Sequence, residues 1–412
     1  MSDPTPFPMP RSTGYPLDPP PELTRLSHEH PVTRVRLWDG STSWLVTRYA
    51  DARALLADRR ISVDVARPGF PHTNAVSKAR DARMKTLMQM DPPEHTANRR
   101  LLIPGFTVRR MRALRPRVQR IVDDLIDDLL AGPDPADLVE AFALPVPSLV
   151  ICELLGVPYV DRGFFQDVAQ SLVMDRADPG QALAASESLN AYLADLVIRK
   201  SADPGKDMLS ELAVGQYLTG AMPAAEIATM GQLLLVAGHD TTASMIALGT
   251  VALLTHPAQL HAVRDGDPPL IAGAVEELLR HLSITHTEAR RVATEDIGIG
   301  GQVIRAGEGI IVVKSTANRD PEAFPDPDVL DVGRTGRSHI AFGHGVHQCL
   351  GQSLARMELE VVFGTLYRRI PTLALATPWA DLEFKEKAVF YGVRELPVTW
   401  RRTTKNRDHR AR

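Results

Sequence analysis

Apolar residues recur at helical spacing through most of the middle of this chain. From Asp91 to Thr255 the pattern predicts helix almost throughout. Breaks fall at Pro92-Pro93, Gly132-Pro133, Pro145-Val146-Pro147, Pro158, Pro179-Gly180 and Pro204-Gly205, where proline or glycine interrupts the backbone. Pro223 is placed to open a long helix running to Thr255. Tyr49 to Arg59 also has helical spacing. Strand signals are shorter: Val35 to Trp38, Ser43 to Val46, the glycine-bearing Val292 to Val313, and Val389 to Trp400, expected as a closing hairpin around Tyr391-Gly392. Gly69 to Asn74 reads as loop and Asn318 to Arg334 as a proline- and aspartate-rich meander. Residues 1–26 are expected to be an extended, proline-rich lead-in, with seven prolines in the first twenty residues. The prediction is a mainly α fold with a small β component, one domain over 27–400, and a basic, disordered tail over 401–412.

Length alone allows more than one domain in 412 residues, but no stretch reads as a long linker. A net charge of -3 gives no indication of nucleic-acid binding. No run of eighteen apolar residues occurs and the N-terminus lacks a signal pattern, so a protein without membrane association is expected. The two cysteines, Cys152 and Cys349, do not make a disulfide framework and fit a reducing cytoplasm. Cys152 lies in an apolar run and is expected in the core.

Cys349 is different. It lies in the glycine-rich run Phe342-Gly343-His344-Gly345-Val346-His347-Gln348-Cys349-Leu350-Gly351, and a helical pattern follows at once. A helix N-terminus favours negative charge, and glycines let backbone amides approach, so the loop suits a thiolate ligand. Haem iron is the metal it suits best. A buried core cysteine, or zinc held with His344 and His347, are the competing readings. In the long helix, Ala237-Gly238-His239-Asp240-Thr241-Thr242 places small residues, a carboxylate and two hydroxyls inside an apolar stretch. The bland reading is a kink with a solvated aspartate. His95 and Arg99 share one face of a helix.

The run from Phe342 to Gly351 resembles the cysteine-ligand signature of the cytochrome P-450 superfamily, Phe-x-x-Gly-x-x-x-Cys-x-Gly. Phe342, Gly345, Cys349 and Gly351 stand at its fixed positions. The resemblance implies the P-450 fold as a single haem-binding domain, with haem b (iron protoporphyrin IX) as cofactor. Cys349 would be the proximal iron ligand, Phe342 would shield it, and Gly343 and Gly351 would belong to its loop. The segment from Ala237 to Thr242 resembles the oxygen-binding segment. There Ala237 and Gly238 would leave room for O2, while Asp240 and Thr241 would deliver protons. His95, Arg99, Arg291 and His347 would face the haem propionates, which need buried cations. Glu277-Leu278-Leu279-Arg280 is similar to the family's Glu-x-x-Arg helix, with Arg334 as the added arginine; Glu22 to Arg25 and Glu288 to Arg291 share its spacing. Substrate lining would come from Gly69 to Met88, Ser171 to Arg176, Leu234 to Gly238, Ile284 to Glu288, and Phe390-Tyr391. His286 and Glu288 would meet a polar substituent or solvent.

The implied activity is a monooxygenase of the soluble actinomycete branch, inserting one oxygen atom of O2 into a lipophilic small molecule by hydroxylation or epoxidation. No flavin, nicotinamide or iron–sulfur motif is present, so electrons would come from a separate ferredoxin and reductase. Arg109 to Arg120 holds six arginines and no acid, and an acidic ferredoxin could dock there through Arg109, Arg110 and Arg112. A monomer is expected. The alternatives are a peroxide-driven peroxygenase and, from another class, a non-enzymatic haem sensor or carrier.

Overall fold

A computed structural model describes residues 4–12, 14–81, 86–161, 163, 164, 168, 179–336, 338–386 and 388–401. The stretch from Ser171 to Arg176 and the tail beyond Arg401 lie outside these described residues. The helices are α1 Pro21–Glu29, α2 Tyr49–Ala57, α3 Ala75–Asp81, α4 Glu94–Leu102, α5 Val108–Ala131, α6 Pro145–Leu155, α7 Pro179–Ala202, α8 Met208–Leu212, α9 Ala224–Thr255, α10 Pro257–Asp265, α11 Pro268–Leu282, α12 Lys314–Ala317 and α13 Gln352–Arg369.

Helix α9 is the axis of the helical layer. It is apolar on nearly every side, so it is buried rather than amphipathic. It packs against α6, α7, α11 and α13, and α13 also packs against α5. Pro223 is its N-cap, as its position in the sequence predicts. Helix α5 buries Met111, Val118, Val122, Ile126 and Leu129 at helical spacing and turns its arginines outward. Among the described residues no single helix is long and apolar enough to cross a membrane.

The β layer is a six-stranded sheet beside the helices. Its order is β1 (Thr5–Pro6), β2 (Val32–Arg36), β3 (Thr42–Val46), β9 (Gly309–Val312), β6 (Ala289–Ala293) and β4 (Ile61–Ser62). β7 (Ile297–Ile299) and β8 (Gln302–Ile304) form a separate ribbon, and β10 (Ala374–Leu375), β11 (Pro397–Thr399) and β5 (Ala136–Asp137) a third sheet. The pairing of β6 with β9 matters for the site: it places Arg291 opposite Ile310, on the strand leading to α12.

Two local expectations change. The lead-in is packed, and part of it is helix. Phe7 and Met9 are 3% exposed each and share a core cluster with Leu23, Leu26, Val35 and Leu45. Pro21 sits in the first turn of α1, where its missing N–H costs nothing, and Glu22 adds a favourable charge there. Likewise, Val389 to Trp400 does not close on itself. Phe384 pairs with Val393, whereas Pro397–Thr399 joins the third sheet. Alternation marks a strand but leaves its partner open.

Candidate functional site

The loop before α13 is shaped by its glycines and its backbone. Gly343 and Gly345 both take φ of 73°, a left-handed conformation that side chains disfavour. At Gly345 a Cβ would stand 2.2 Å from the Leu56 carbonyl oxygen, so the loop lies tight against the end of α2. The Cys349 N–H donates to the Phe342 carbonyl at 2.8 Å, closing the loop, and Gly351 caps α13. The Arg356 guanidinium lies 4.5 Å above the Phe342 ring. Glu276 binds that arginine and His339; burial pushes its carboxyl pKa up, but these two partners outweigh it and hold it near 2.

The Cys349 side chain has an accessible surface, yet its neighbourhood is buried enough to push the thiol pKa up. The two facts agree if the sulfur faces an interior space rather than the outer surface. The Gly351 N–H, Lys314, Arg99 and Arg356 act in the opposite direction, favouring thiolate.

Four cationic or protonatable side chains gather beside this loop. The His95 and His347 rings lie with centroids 4.2 Å apart, tilted by 46°. The Arg99 Nη2 donates to the Gln348 carbonyl at 2.7 Å, and the Arg291 Nη1 to the Arg290 carbonyl at 2.7 Å. Among the described residues neither arginine forms an ion pair with a carboxylate, and the buried Nδ1 of His95 has no partner. Burial is the main force lowering all four, with repulsion from Arg290 on Arg291 and from the neighbouring cations on His347. Arg291 falls to about 10, and His347 falls to about 3 through burial, Arg291, His95 and Arg99. Among the described residues Asp91 is the one carboxylate that acts on Arg291 and His95, and it does not offset their burial; a cluster so undercompensated suits a dianionic ligand, and the two propionates of a haem match it beside the thiol. Zinc fits poorly: His344 lies beside Arg53, and among the described residues no three His, Cys, Asp or Glu groups converge on a metal position.

On α9 the segment from Ala237 to Thr242 is uninterrupted helix. The Thr241 hydroxyl donates to the Ala237 carbonyl at 2.7 Å, leaving its lone pairs free to accept. A Cβ at Gly238 would make only an ordinary contact, with Ile151 Cδ1 at 3.9 Å, so protein packing does not demand this glycine. Asp240 is 7% exposed and is not the solvated aspartate of the bland reading. Its Oδ1 lies 3.0 Å from Lys385 Nζ.

Glu277, Arg280 and Arg334 meet as the sequence predicts. Arg280 is bidentate on Glu277 at 2.7 and 2.8 Å, and Arg334 Nε reaches both oxygens at 3.1 Å. Of the other pairs with this spacing, Glu22 and Arg25 meet on the exposed surface. Glu288 turns away from Arg291 and accepts from the N–H groups of Lys314 and Ser315 at the start of α12. So Glu288 is a buried cap, not a substrate or solvent contact. His286 faces the Tyr391 ring, and Tyr391 itself is 1% exposed beneath the Arg11 guanidinium. That ring is wall packing, not lining. Several arginines of the basic segment are engaged: Arg110 with Glu211, Arg115 with Glu360 and Arg117 with Glu153.

Sequence reading missed Lys385, Lys314 and Arg11. Lys314 is fully buried and feels Glu288, Arg291 and Cys349. No spacing could pair Lys385 with Asp240, since 145 residues separate them.

Comparison with known proteins places this arrangement. The family model for cytochrome P450 matches residues 267–370, which include α11, the meander and the cysteine loop. Cytochrome P450 GfsF of Streptomyces halstedii is 52% identical, covering 96% of each chain, and its crystal structure superposes with a TM-score of 0.92. Pentalenic acid synthase of Streptomyces avermitilis is 48% identical over 97% of this chain and 98% of its own. The crystal structure of cytochrome P450 MoxA from Nonomuraea recticatena (CYP105) is 48% identical, with a TM-score of 0.92 over 96% of this chain and 98% of that one. The chain belongs to the cytochrome P450 family. It is an enzyme of the P450 oxidoreductase class, whose members bind haem b through a cysteine thiolate.

Proposed function

We propose that Cys349 is the haem-iron ligand of this monooxygenase and that His95, Arg99, Arg291 and His347 receive the propionates. The observation that carries the reading is a cation cluster in which neither arginine has an ion-paired carboxylate among the described residues, gathered beside the Cys349 thiol. Phe342, Gly343 and Gly351 shape the ligand loop, and Ala237 and Gly238 keep the opposite helix face open. When bound, the haem supplies oxygen chemistry of overall form RH + O2 + 2e⁻ + 2H⁺ → ROH + H2O, or the corresponding epoxidation. The two protons are the protein's task. Asp240 passes them inward from solvent, and Thr241, its hydrogen already given to Ala237, accepts and orients the donating water.

The substrate is a lipophilic small molecule. In support, the candidate lining includes the partly buried Leu234 and Ile284, and one relative is named pentalenic acid synthase. A separate ferredoxin supplies the electrons, and the protein works as a cytoplasmic monomer. Arg109 and Arg112 are the better docking cations, because Arg110 is already bound to Glu211.

The decisive test is the optical spectrum of the reduced, carbon-monoxide-treated protein. The red-shifted Soret band of thiolate ligation is expected, and Cys349→His should lose it while keeping haem. An unshifted band in the unsubstituted protein overturns the assignment. Arg109→Glu with Arg112→Glu should slow reduction by ferredoxin and flatten its salt dependence.

A further inference from the structure

We propose that Lys385 is a positioning residue for Asp240, holding its carboxylate in the orientation from which protons pass inward. This rests on the reading of Asp240 as the proton relay. The contact is Nζ to Oδ1 at 3.0 Å, and both side chains are shielded, at 16% and 9% exposure. Exposed lysine–carboxylate pairs contribute little, but shielding and a fixed backbone make this one different.

The backbone is fixed by a hairpin. Lys385 N–H donates to the Gly392 carbonyl at 2.8 Å, and Arg394 N–H to the Glu383 carbonyl at 2.8 Å. Phe384 lies flat against Tyr391, with centroids 5.5 Å apart and planes 7° apart. The Tyr391 N–H donates to the Ile284 carbonyl at 2.7 Å, tying the hairpin to the segment after α11. The hairpin also touches α9 itself: a Cβ at Gly392 would stand 2.7 Å from Ser244 Oγ and 3.2 Å from Ser244 Cβ. Ser244 lies four residues beyond Asp240, on the same helix face. Two contacts on one face, one steric and one ionic, therefore register the hairpin against the acid. Lys385 is the more exposed partner and forms the outer end of the pair.

The test uses holoenzyme driven by a plant-type ferredoxin and its NADPH reductase, without added substrate. The readouts are the rate of O2 consumption and its solvent deuterium isotope effect. Asp240→Asn should slow the rate about tenfold or more and enlarge the isotope effect. Lys385→Met should slow it about threefold or more with the same enlargement, and Lys385→Arg should stay within about twofold of the unsubstituted enzyme. Gly392→Ala, which displaces the hairpin without removing a charge, should fall between Lys385→Met and the unsubstituted enzyme. A readout independent of turnover is the urea unfolding cycle of Lys385→Met and Asp240→Asn, where a coupling of about threefold or more in the unfolding constant is expected.

If Lys385→Met leaves rate and isotope effect unchanged while Asp240→Asn alters both, the positioning role is wrong and the relay stands. If Asp240→Asn alters neither, the relay fails and takes this proposal with it. Additive unfolding effects would also overturn the proposal.

Discussion

Two charge clusters lie near the two ends of α12, one by Asn318 and one by Lys314, and they differ in whether a carboxylate is shared. In one, Glu277 meets Arg280 and Arg334, while the guanidiniums also bond carbonyls of Asn318, Pro327, Asp326 and Val329. In the other, His95, Arg99, Arg291 and His347 face one another without an ion-paired carboxylate among the described residues. The first cluster, with a shared carboxylate and its other N–H groups on backbone carbonyls, is complete as protein. The second, with no ion-paired carboxylate among the described residues, would be completed by a ligand of opposite charge. The comparison teaches where affinity for an anionic ligand can come from: folding leaves a positive cluster incompletely compensated, and on the proposed reading haem binding relieves it.

The largest effect should come from breaking the cluster that shares a carboxylate. Glu277→Ala leaves two guanidiniums without their shared carboxylate, at a cost of about 3–5 kcal/mol. Protein that purifies without haem is expected, and normal haem content in that variant would refute the role. Next, Arg291→Met should act with opposite signs on the two forms. Apoprotein unfolding in urea should show equal or greater stability, because a buried cation is removed. Haem retention should weaken by about 1.5–3 kcal/mol, the range for a hydrogen bond to a charged group. Loss of stability in the apoprotein would show that Asp91 already compensates the burial of Arg291.

A smaller effect is expected from acid. Burial lowers His95 and His286, the latter to about 4 from an ordinary 6.5. The unfolded chain then binds more protons than the folded one between pH 6.5 and about 4. Stability is therefore full above pH 6.5 and declines as pH falls, by up to about tenfold in the folding constant per pH unit per histidine. His95→Gln should flatten the apoprotein's acid slope more than the holoprotein's, since bound propionates favour the charged imidazole. Equal flattening in both forms would separate His95 from the propionates. The smallest effect should be Glu22→Gln. That residue forms the same i,i+3 pair with Arg25 as Glu277 does with Arg280, but on the surface, and no measurable change in Tm is expected.

That last pair shows what was legible. Glu22–Arg25, Glu277–Arg280 and Glu288–Arg291 have one spacing and three outcomes: a surface pair, a buried lock and no pair. Place in the chain order picked out the correct one, and the residue types of the cysteine loop and the α9 segment needed no coordinates. The lead-in was misread because proline density marks a broken backbone without telling helix start from extended chain. Tyr391 and Glu288 were misplaced because a side chain's direction is set by its packing partners, here Arg11 and the start of α12.

By itself the sequence determined the family, the glycine-rich cysteine loop, the apolar axis helix and the cations that could serve a cofactor. All of these are local: glycine conformation, helical periodicity and residue chemistry at short spacing. Only the tertiary structure decided which charges meet. The pairing of Asp240 with Lys385, and the gathering of Arg291 with His95, depend on chain segments brought together by burial of the helices and the sheet, and no local spacing encodes that distance.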